Sequence, residues 1–192
     1  MSKPLIMLQF TDEMETERLL LRKPLPGDGK EVNQAIRESW EDLQQWMPWA
    51  QQLPSECETE ENIRHAYLQF LDRSDLRFHG YDKQTGEMVL CTGFHRIDWK
   101  IRKFEIGYWI RKKYMGQGLV TEAVRALENL LIKELVANRI EIRCDAGNDR
   151  SANVAKRLGY TLEGTLRLNA LDASSEKMRD TLVFAKVRGI EY

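Results

Sequence analysis

Two spacings of apolar residues divide this chain into elements. Residues 17–23 (ERLLLRK) read as a strand and 24–29 as a turn. Residues 30–40 then place Val32, Ala35, Ile36 and Trp40 at helical spacing. A short aromatic-rich helical piece over 41–49 ends at Pro48. Thr59-Glu60-Glu61-Asn62 opens a stronger helix, with Thr59 as N-cap, acids in the first turn, and Ile63, Ala66, Tyr67, Phe70 and Leu71 on one apolar face. The period then changes. Residues 76–81 and 88–97 flank the turn Gln84-Thr85-Gly86 as a hairpin. After a turn over 98–102, Phe104, Ile106, Tyr108 and Ile110 alternate with Glu105, Gly107 and Trp109, the third strand of a meander.

Helical spacing returns over 119–135, with Val120, Ala123, Val124, Leu127, Leu130 and Leu131 inward. A strand over 139–144, a helix over 151–158 ended by Gly159, and strands over 160–171 and 181–187 around a polar loop at 173–178 complete the chain. The order predicts an α+β fold with a mixed, mainly antiparallel central sheet flanked by helices. No repeat or linker interrupts it, so residues 1–192 are expected to form a single domain.

Composition narrows the function classes. The chain has 192 residues, and 29 Lys plus Arg against 30 Asp plus Glu leave a net charge of −1. A general nucleic-acid coat needs a basic excess, so direct nucleic-acid binding is not expected. Cys57, Cys91 and Cys144 are isolated, which argues against a disulfide framework or a zinc site. His65, His79 and His95 have no metal spacing, and no metal is expected. The N-terminal stretch has no signal-peptide pattern and no apolar run reaches membrane-spanning length, so the expected compartment is the cytoplasm.

The chemistry concentrates between the third meander strand and the next helix. Arg111-Lys112-Lys113 is followed by Gly116-Gln117-Gly118, and helical spacing begins at Leu119. A strand, a basic glycine loop and a helix N-terminus are suited to an anion. The first helical turn has unpartnered N–H groups, the helix dipole adds positive potential, and glycine lets backbone approach closely. A G-x-G alone also occurs at helix starts that bind nothing. The spacing fits neither G-x-x-x-x-G-K-[ST] nor G-x-G-x-x-G.

This stretch resembles the acyl-CoA-binding segment of the GNAT superfamily of N-acetyltransferases, in which a [QR]-x-x-G-x-[GA] loop cradles the CoA pyrophosphate. Lys113-Tyr114-Met115-Gly116-Gln117-Gly118 takes that place, with Lys at the first position. The resemblance extends over nearly the whole chain and is closest to the bacterial ribosomal-protein N-terminal (serine/alanine) acetyltransferases. It is carried by residues 16–22, Trp46-Met47-Pro48-Trp49, Glu105-Ile106-Gly107-Tyr108-Trp109, the glycine loop, Asn148 with Ser151, and Leu158-Gly159-Tyr160 with Glu163-Gly164. It implies acetyl-CoA as cosubstrate. Trp109, Ile110, Arg111, Lys113, Tyr114, Met115, Gly116, Gln117, Gly118 and Leu119 are then expected to contact it, with Asn148 and Asn153 beside the pantetheine arm.

Acetyl transfer to an amine requires a base for the amine, positioned reactants, donors for the oxyanion and an acid for the leaving thiolate. Glu105 faces away from Phe104 and Ile106 by alternation and is the candidate base, acting through a water; it also reads as a solvent-facing strand residue. Ser151 is the candidate acid, and equally an N-cap. Trp40, Trp46 and Trp49 with Met47 fit either core or the apolar wall of an amine cleft. Glu56, Glu58, Glu60 and Glu61 fit either an attraction for a cationic amine or a solvated helix start.

The expected acceptor, implied by the resemblance, is the N-terminal amine of a ribosomal or other cytosolic protein. A small amine (polyamine, aminoglycoside or amino acid) is the alternative within the fold, and a non-catalytic CoA-binding sensor is the alternative outside catalysis. Both a monomer and a homodimer are compatible with the sequence.

Overall fold

The computed structural model describes residues 4–172, 175 and 177–192. Ala173, Ser174 and Glu176, in the polar loop expected over 173–178, lie outside these residues. One sheet of eight strands runs through the described residues in the order β1-β2-β3-β4-β5-β6-β8-β7. The strands are β1 (Glu13–Glu15), β2 (Leu19–Arg22), β3 (Leu76–Asp82), β4 (Met88–Asp98), β5 (Lys103–Ile110), β6 (Arg139–Asp145), β7 (Thr161–Leu171) and β8 (Met178–Val187). Neighbours pair antiparallel except β5 with β6, which are parallel. A parallel pair needs a crossover, and α4 (Leu119–Lys133) supplies it. The expected meander is β3-β4-β5. The short β1 was not expected: three residues, Glu-Met-Glu, carry no periodic signal of their own, and pairing with β2 alone defines them.

Helices cover both faces. On one, α4 and α5 (Asp149–Arg157) pack on Phe78, Phe94, Phe104, Ile106, Ile140 and Ile142, all at most 1% exposed. On the other, Val32 and Ile36 of α1 (Gly29–Glu38), Leu43 of α2 (Trp40–Trp46) and Ile63 of α3 (Glu56–Asp72) pack with Tyr81 and Met88. Residues Leu19 and Leu21 face α4, and Leu20 faces the opposite cluster, as strand alternation requires.

Three helix starts and stops differ from the expected ones for local reasons. The N-cap of α3 is Ser55: its side chain accepts from Glu58 N–H and Glu58 returns the bond, a capping box in S-x-x-E spacing. Thr59 is instead buried, its hydroxyl accepting from Asn33 at 2.8 Å and donating to Ser55 O at 2.9 Å. The piece expected over 41–49 ends at Trp46, because Met47 precedes Pro48 and is pushed to extended angles (φ −104°, ψ 113°). The N-cap of α5 is Asn148, which accepts from Ser151 N–H at 3.0 Å. Gly159 follows α5 at φ +80°, the left-handed residue expected there.

A polar cluster ties β2 to the start of α1. Arg22 makes two 2.8 Å bonds to the Asp28 carboxylate and a third to Tyr81 Oη. Burial alone would raise the Asp28 carboxyl, but the Arg22 guanidinium, His79 and Leu25 N–H together hold it well below the usual carboxylate range. Because that native pKa is depressed, the stabilisation is present above the ordinary carboxylate pKa and is lost as pH falls through the native value. Asp28→Asn is expected to cost about 3 kcal/mol at pH 7, since it leaves Arg22 without its charge partner. The deficit should narrow as pH falls below about 4. Denaturant unfolding at pH 7 and pH 3 measures both, and a deficit independent of pH would refute the assignment.

Candidate functional site

The parallel ladder between β5 and β6 is short. It pairs Lys103 with Arg139, Phe104 with Ile140 and Glu105 with Glu141, and stops there. β5 continues to Ile110, held by β4, while β6 continues to Asp145, held by β8. Beyond Glu105 the two strands therefore present free facing edges, whose backbone N–H and C=O groups are open to a ligand. A cleft of about 860 Å³ begins at this gap, crosses β5, β4 and β3, and is walled by residues of α1, the α2–α3 connection and the β7–β8 hairpin.

Glu105 lines this cleft, on the opposite side of β5 from the fully buried Phe104 and Ile106. Its carboxylate, 15% exposed, lies 2.9 Å from Arg96 Nη1 and 3.4 Å from Arg143 Nε. Arg143 also pairs with the buried Glu141 at 2.8 Å. The expected base is thus held in a fixed position by two guanidiniums on the cleft, and is not a free surface glutamate. Beside it the floor is bare: a Cβ on Gly107 would lie 2.8 Å from the His95 ring.

Ser151 lines the same cleft across the β5–β6 gap. Because Asn148 caps α5, the Ser151 hydroxyl is not used for capping, and its Oγ lies 3.0 Å from Tyr108 Oη. Burial pushes the Tyr108 phenol above its ordinary value, so it remains a neutral donor at any physiological pH. Cys144 lies next to this pair. Burial raises its thiol as well, against the opposing hydrogen bond from Ser151. Tyr108 and the two arginines at Glu105 were missed from sequence. Alternation puts Tyr108 on an apolar face, and the signal that was available is its hydroxyl, which a buried tyrosine must satisfy. Asn148 lines the cleft, whereas Asn153 is exposed.

The glycine loop lies at the head of α4. Gly116 and Gly118 both have positive φ, +76° and +79°, and a Cβ on Gly116 would meet nothing within 4 Å. Gly118 is the N-cap of the 15-residue α4 and has no side chain to cap it, so the first-turn N–H groups are open to an anion. This backbone fits a phosphate. The side chains of the basic run do not gather there. Arg111 is 2% exposed and forks onto Glu38 with two 2.6 Å bonds, and Lys113 and Tyr114 are engaged by Glu87. Gln117 bonds back to Lys113 O, Met115 accepts from Arg150, and Ile110 and Leu119 pack in the core.

The acceptor-side expectations separate. Trp46, Met47 and Trp49 line the cleft, with Trp49 and Trp109 rings 6.4 Å apart; Trp40 packs in the core of α1–α3 instead. Of the acids, Glu58 belongs to the capping box and Glu60 accepts from Gly27 and Gly29 N–H, so those two stabilise helix starts. Glu56 and Glu61 are exposed. Among the described residues no group of three or more His, Cys, Asp or Glu is placed to hold a metal, and no helix is long and apolar enough to cross a membrane.

A family profile described as an acetyltransferase (GNAT) domain matches residues 18–161. The chain is 32% identical over 154 residues, 79% of it and 82% of the relative, to YdaF of Bacillus subtilis (strain 168), provisionally named a ribosomal N-acetyltransferase. It is 29% identical over 157 residues, 79% of it and 84% of the relative, to the ribosomal-protein-serine acetyltransferase of Escherichia coli (strain K12). In fold it is similar to RimL, a ribosomal-protein alpha-N-acetyltransferase solved with coenzyme A. The TM-score is 0.83 at 23% identity, with 90% of this chain and 95% of that one covered.

The Arg111–Glu38 fork generates a prediction. Arg111→Gln should lower stability by about 2 kcal/mol, because it removes a charged partner from a nearly buried site. Its effect on acetyl-CoA affinity in the folded protein should be less than about threefold, since the guanidinium faces Glu38 and not the loop. Denaturant unfolding and calorimetric titration measure the two effects separately.

Proposed function

This chain belongs to the GNAT acetyltransferase family, and we propose that it transfers the acetyl group of acetyl-CoA to the N-terminal amine of a ribosomal protein in the cytoplasm, residues 1–192 acting as one catalytic domain. The observation that carries the reading is that Glu105, Tyr108 and Ser151 line one cleft at the β5–β6 gap, in a chain whose relatives at 29% and 32% identity are named for ribosomal acetylation. The coenzyme A in the solved RimL structure supports the choice of donor.

In this reading the open N–H groups at the start of α4, with Gly116 and Gly118, hold the pyrophosphate. The free edges of β5 and β6 hold the pantetheine amides and point donors at the thioester oxygen. The thioester supplies the activated acetyl group. The attacking amine gives up a proton to Glu105, through a water, as its nitrogen bonds to the carbonyl carbon. As the C–S bond breaks, the departing sulfur takes a proton from the Ser151 hydroxyl, which the neutral Tyr108 hydroxyl orients at 3.0 Å. Asn148 keeps this pair in place through its cap on Ser151 N–H. The bonds broken are N–H, C–S and the Ser151 O–H, and those formed are N–C, S–H and an O–H on Glu105; Ser151 then regains a proton from solvent as Glu105 gives one up to it.

Glu105→Gln is expected to lower turnover about 10²-fold or more at pH 7, and less at high pH, where the amine is already neutral. Ser151→Ala should lower turnover with little change in acetyl-CoA affinity. Gly118→Asp places a carboxylate at the helix start and should abolish calorimetric binding of acetyl-CoA in a folded protein. Losses below about threefold in both Glu105→Gln and Ser151→Ala would leave proximity and backbone donors as the catalysts. For the acceptor, the enzyme is incubated with acetyl-CoA and isolated ribosomal proteins, and in parallel with a small-amine panel. Mass spectrometry should find one N-terminus acetylated. Efficient turnover of spermidine with no protein modified would refute the proposed acceptor.

A further inference from the structure

The cleft carries unequal charges. Among the described residues its lining carboxylates are Glu58, Glu105 and Asp145, and each already has its partners. Glu58 accepts from the Ser55 N–H and hydroxyl at 2.8 and 2.7 Å. Glu105 lies between Arg96 and Arg143. Asp145 accepts from Gly147 N–H at 2.7 Å and from Arg179 at 3.2 Å. Arg77 lines the same cleft from β3 and is different. It is half-buried, donates to Asn62 Oδ1 at 2.6 Å, and forms no ion pair among the described residues. A guanidinium with a neutral partner still has most of its planar donor fork to offer, and a carboxylate matches that fork.

The floor leads from Arg77 toward the reacting centre. Arg77 is opposite Gly93 on β4, and Gly93 is opposite Gly107 on β5, two residues from Glu105. A Cβ on Gly93 would lie 2.5 Å from Leu76 O, so this strip stays flat at both glycines. Two strand spacings, about 10 Å, separate Arg77 from Gly107 along the strip. That is roughly three residues of extended peptide.

We propose that Arg77 binds a side-chain carboxylate of the acceptor, so that the preferred acceptor is a peptide with Asp or Glu at its second to fourth position. The inference rests on the reading of the chain as an N-terminal acetyltransferase and names the class of N-terminus it takes. Among the described residues, a polyamine or a lysine-rich N-terminus meets on this lining only carboxylates that are already engaged, Glu58 by its helix cap and Glu105 and Asp145 by arginines. This is opposite to the attraction for cations that was one of the two readings of the acidic segment Glu56 to Glu61.

The test uses peptides of one length that share an N-terminal serine and differ only by Ala, Glu or Lys at positions two to four. Binding is measured by titration with the full-length enzyme loaded with CoA, and turnover by CoA release from acetyl-CoA. The Glu peptides should bind about tenfold more tightly than the Ala peptides. Arg77→Gln should remove that difference with little effect on the Ala peptides, Arg77→Lys should keep part of it, and Arg77→Glu should transfer the preference to the Lys peptides. Equal binding of Glu and Lys peptides, or a preference unchanged in Arg77→Gln, overturns the inference. If all peptides are acetylated without preference, the role of Arg77 fails and the acetyltransferase reading stands. If the Glu preference appears in binding and no peptide is acetylated, the peptide-acceptor reading fails and the carboxylate site stands. Absence of binding by every peptide overturns both.

Discussion

The structure depends on a ladder that stops early. β5 and β6 share three pairs and then part, each held from behind by its other neighbour, β4 or β8. Unpaired strand edges inside a domain are costly unless something bonds to them. Here they open onto the cleft that holds Glu105 on one side and Ser151 on the other. The hydrogen bond between the hydroxyls of Tyr108 on β5 and Ser151 on α5 spans the opening. It joins the element before the gap to the element after it, and it places two neutral hydroxyls at one point.

Electrostatics arranges the rest by pairing charges away from the glycine loop. Glu38 and Glu87 engage Arg111 and Lys113, so the proposed anion site at the head of α4 is made of backbone, and the cations shape the loop. Arg18 contributes in the same way: it pairs with Glu122 in the first turn of α4 at 2.7 Å and donates to Gln117 O at 2.9 Å, binding the loop to the bend just before β2. A backbone cradle suits this use, because N–H groups fixed by a helix need no reordering when an anion arrives. On the other side of the sheet the same pairing engages Glu105 and Asp145 of the cleft and leaves Arg77 with a neutral partner.

Much of this was legible in the sequence where a signal lies within a few residues. The alternation of Phe104 to Ile110, the glycines before Leu119, the apolar spacing of α4 and the left-handed Gly159 are each set by local sterics and periodicity, and each is where it was expected. The side of β5 on which Glu105 sits follows from the same alternation. Two helix starts were misplaced although their signals were local: Ser55-x-x-Glu58 is a capping box, and Asn148 is as good a cap as Ser151.

What only the tertiary structure decided is which partner each polar group takes. Arg111 finds Glu38 at a separation of 73 residues, Tyr108 finds Ser151 at 43, and Lys113 finds Glu87 at 26. A basic run before a glycine loop reads as a phosphate site in sequence, and nothing local reveals that carboxylates on α1 and in the β3–β4 turn will engage it. The early end of the β5–β6 ladder is equally invisible, because each strand's own residues would continue the pairing and only the demands of β4 and β8 draw them apart. Local sterics therefore determined the strand, the loop and the helix of this protein, and long-range packing of charges and strand edges decided which of their groups remain free to act.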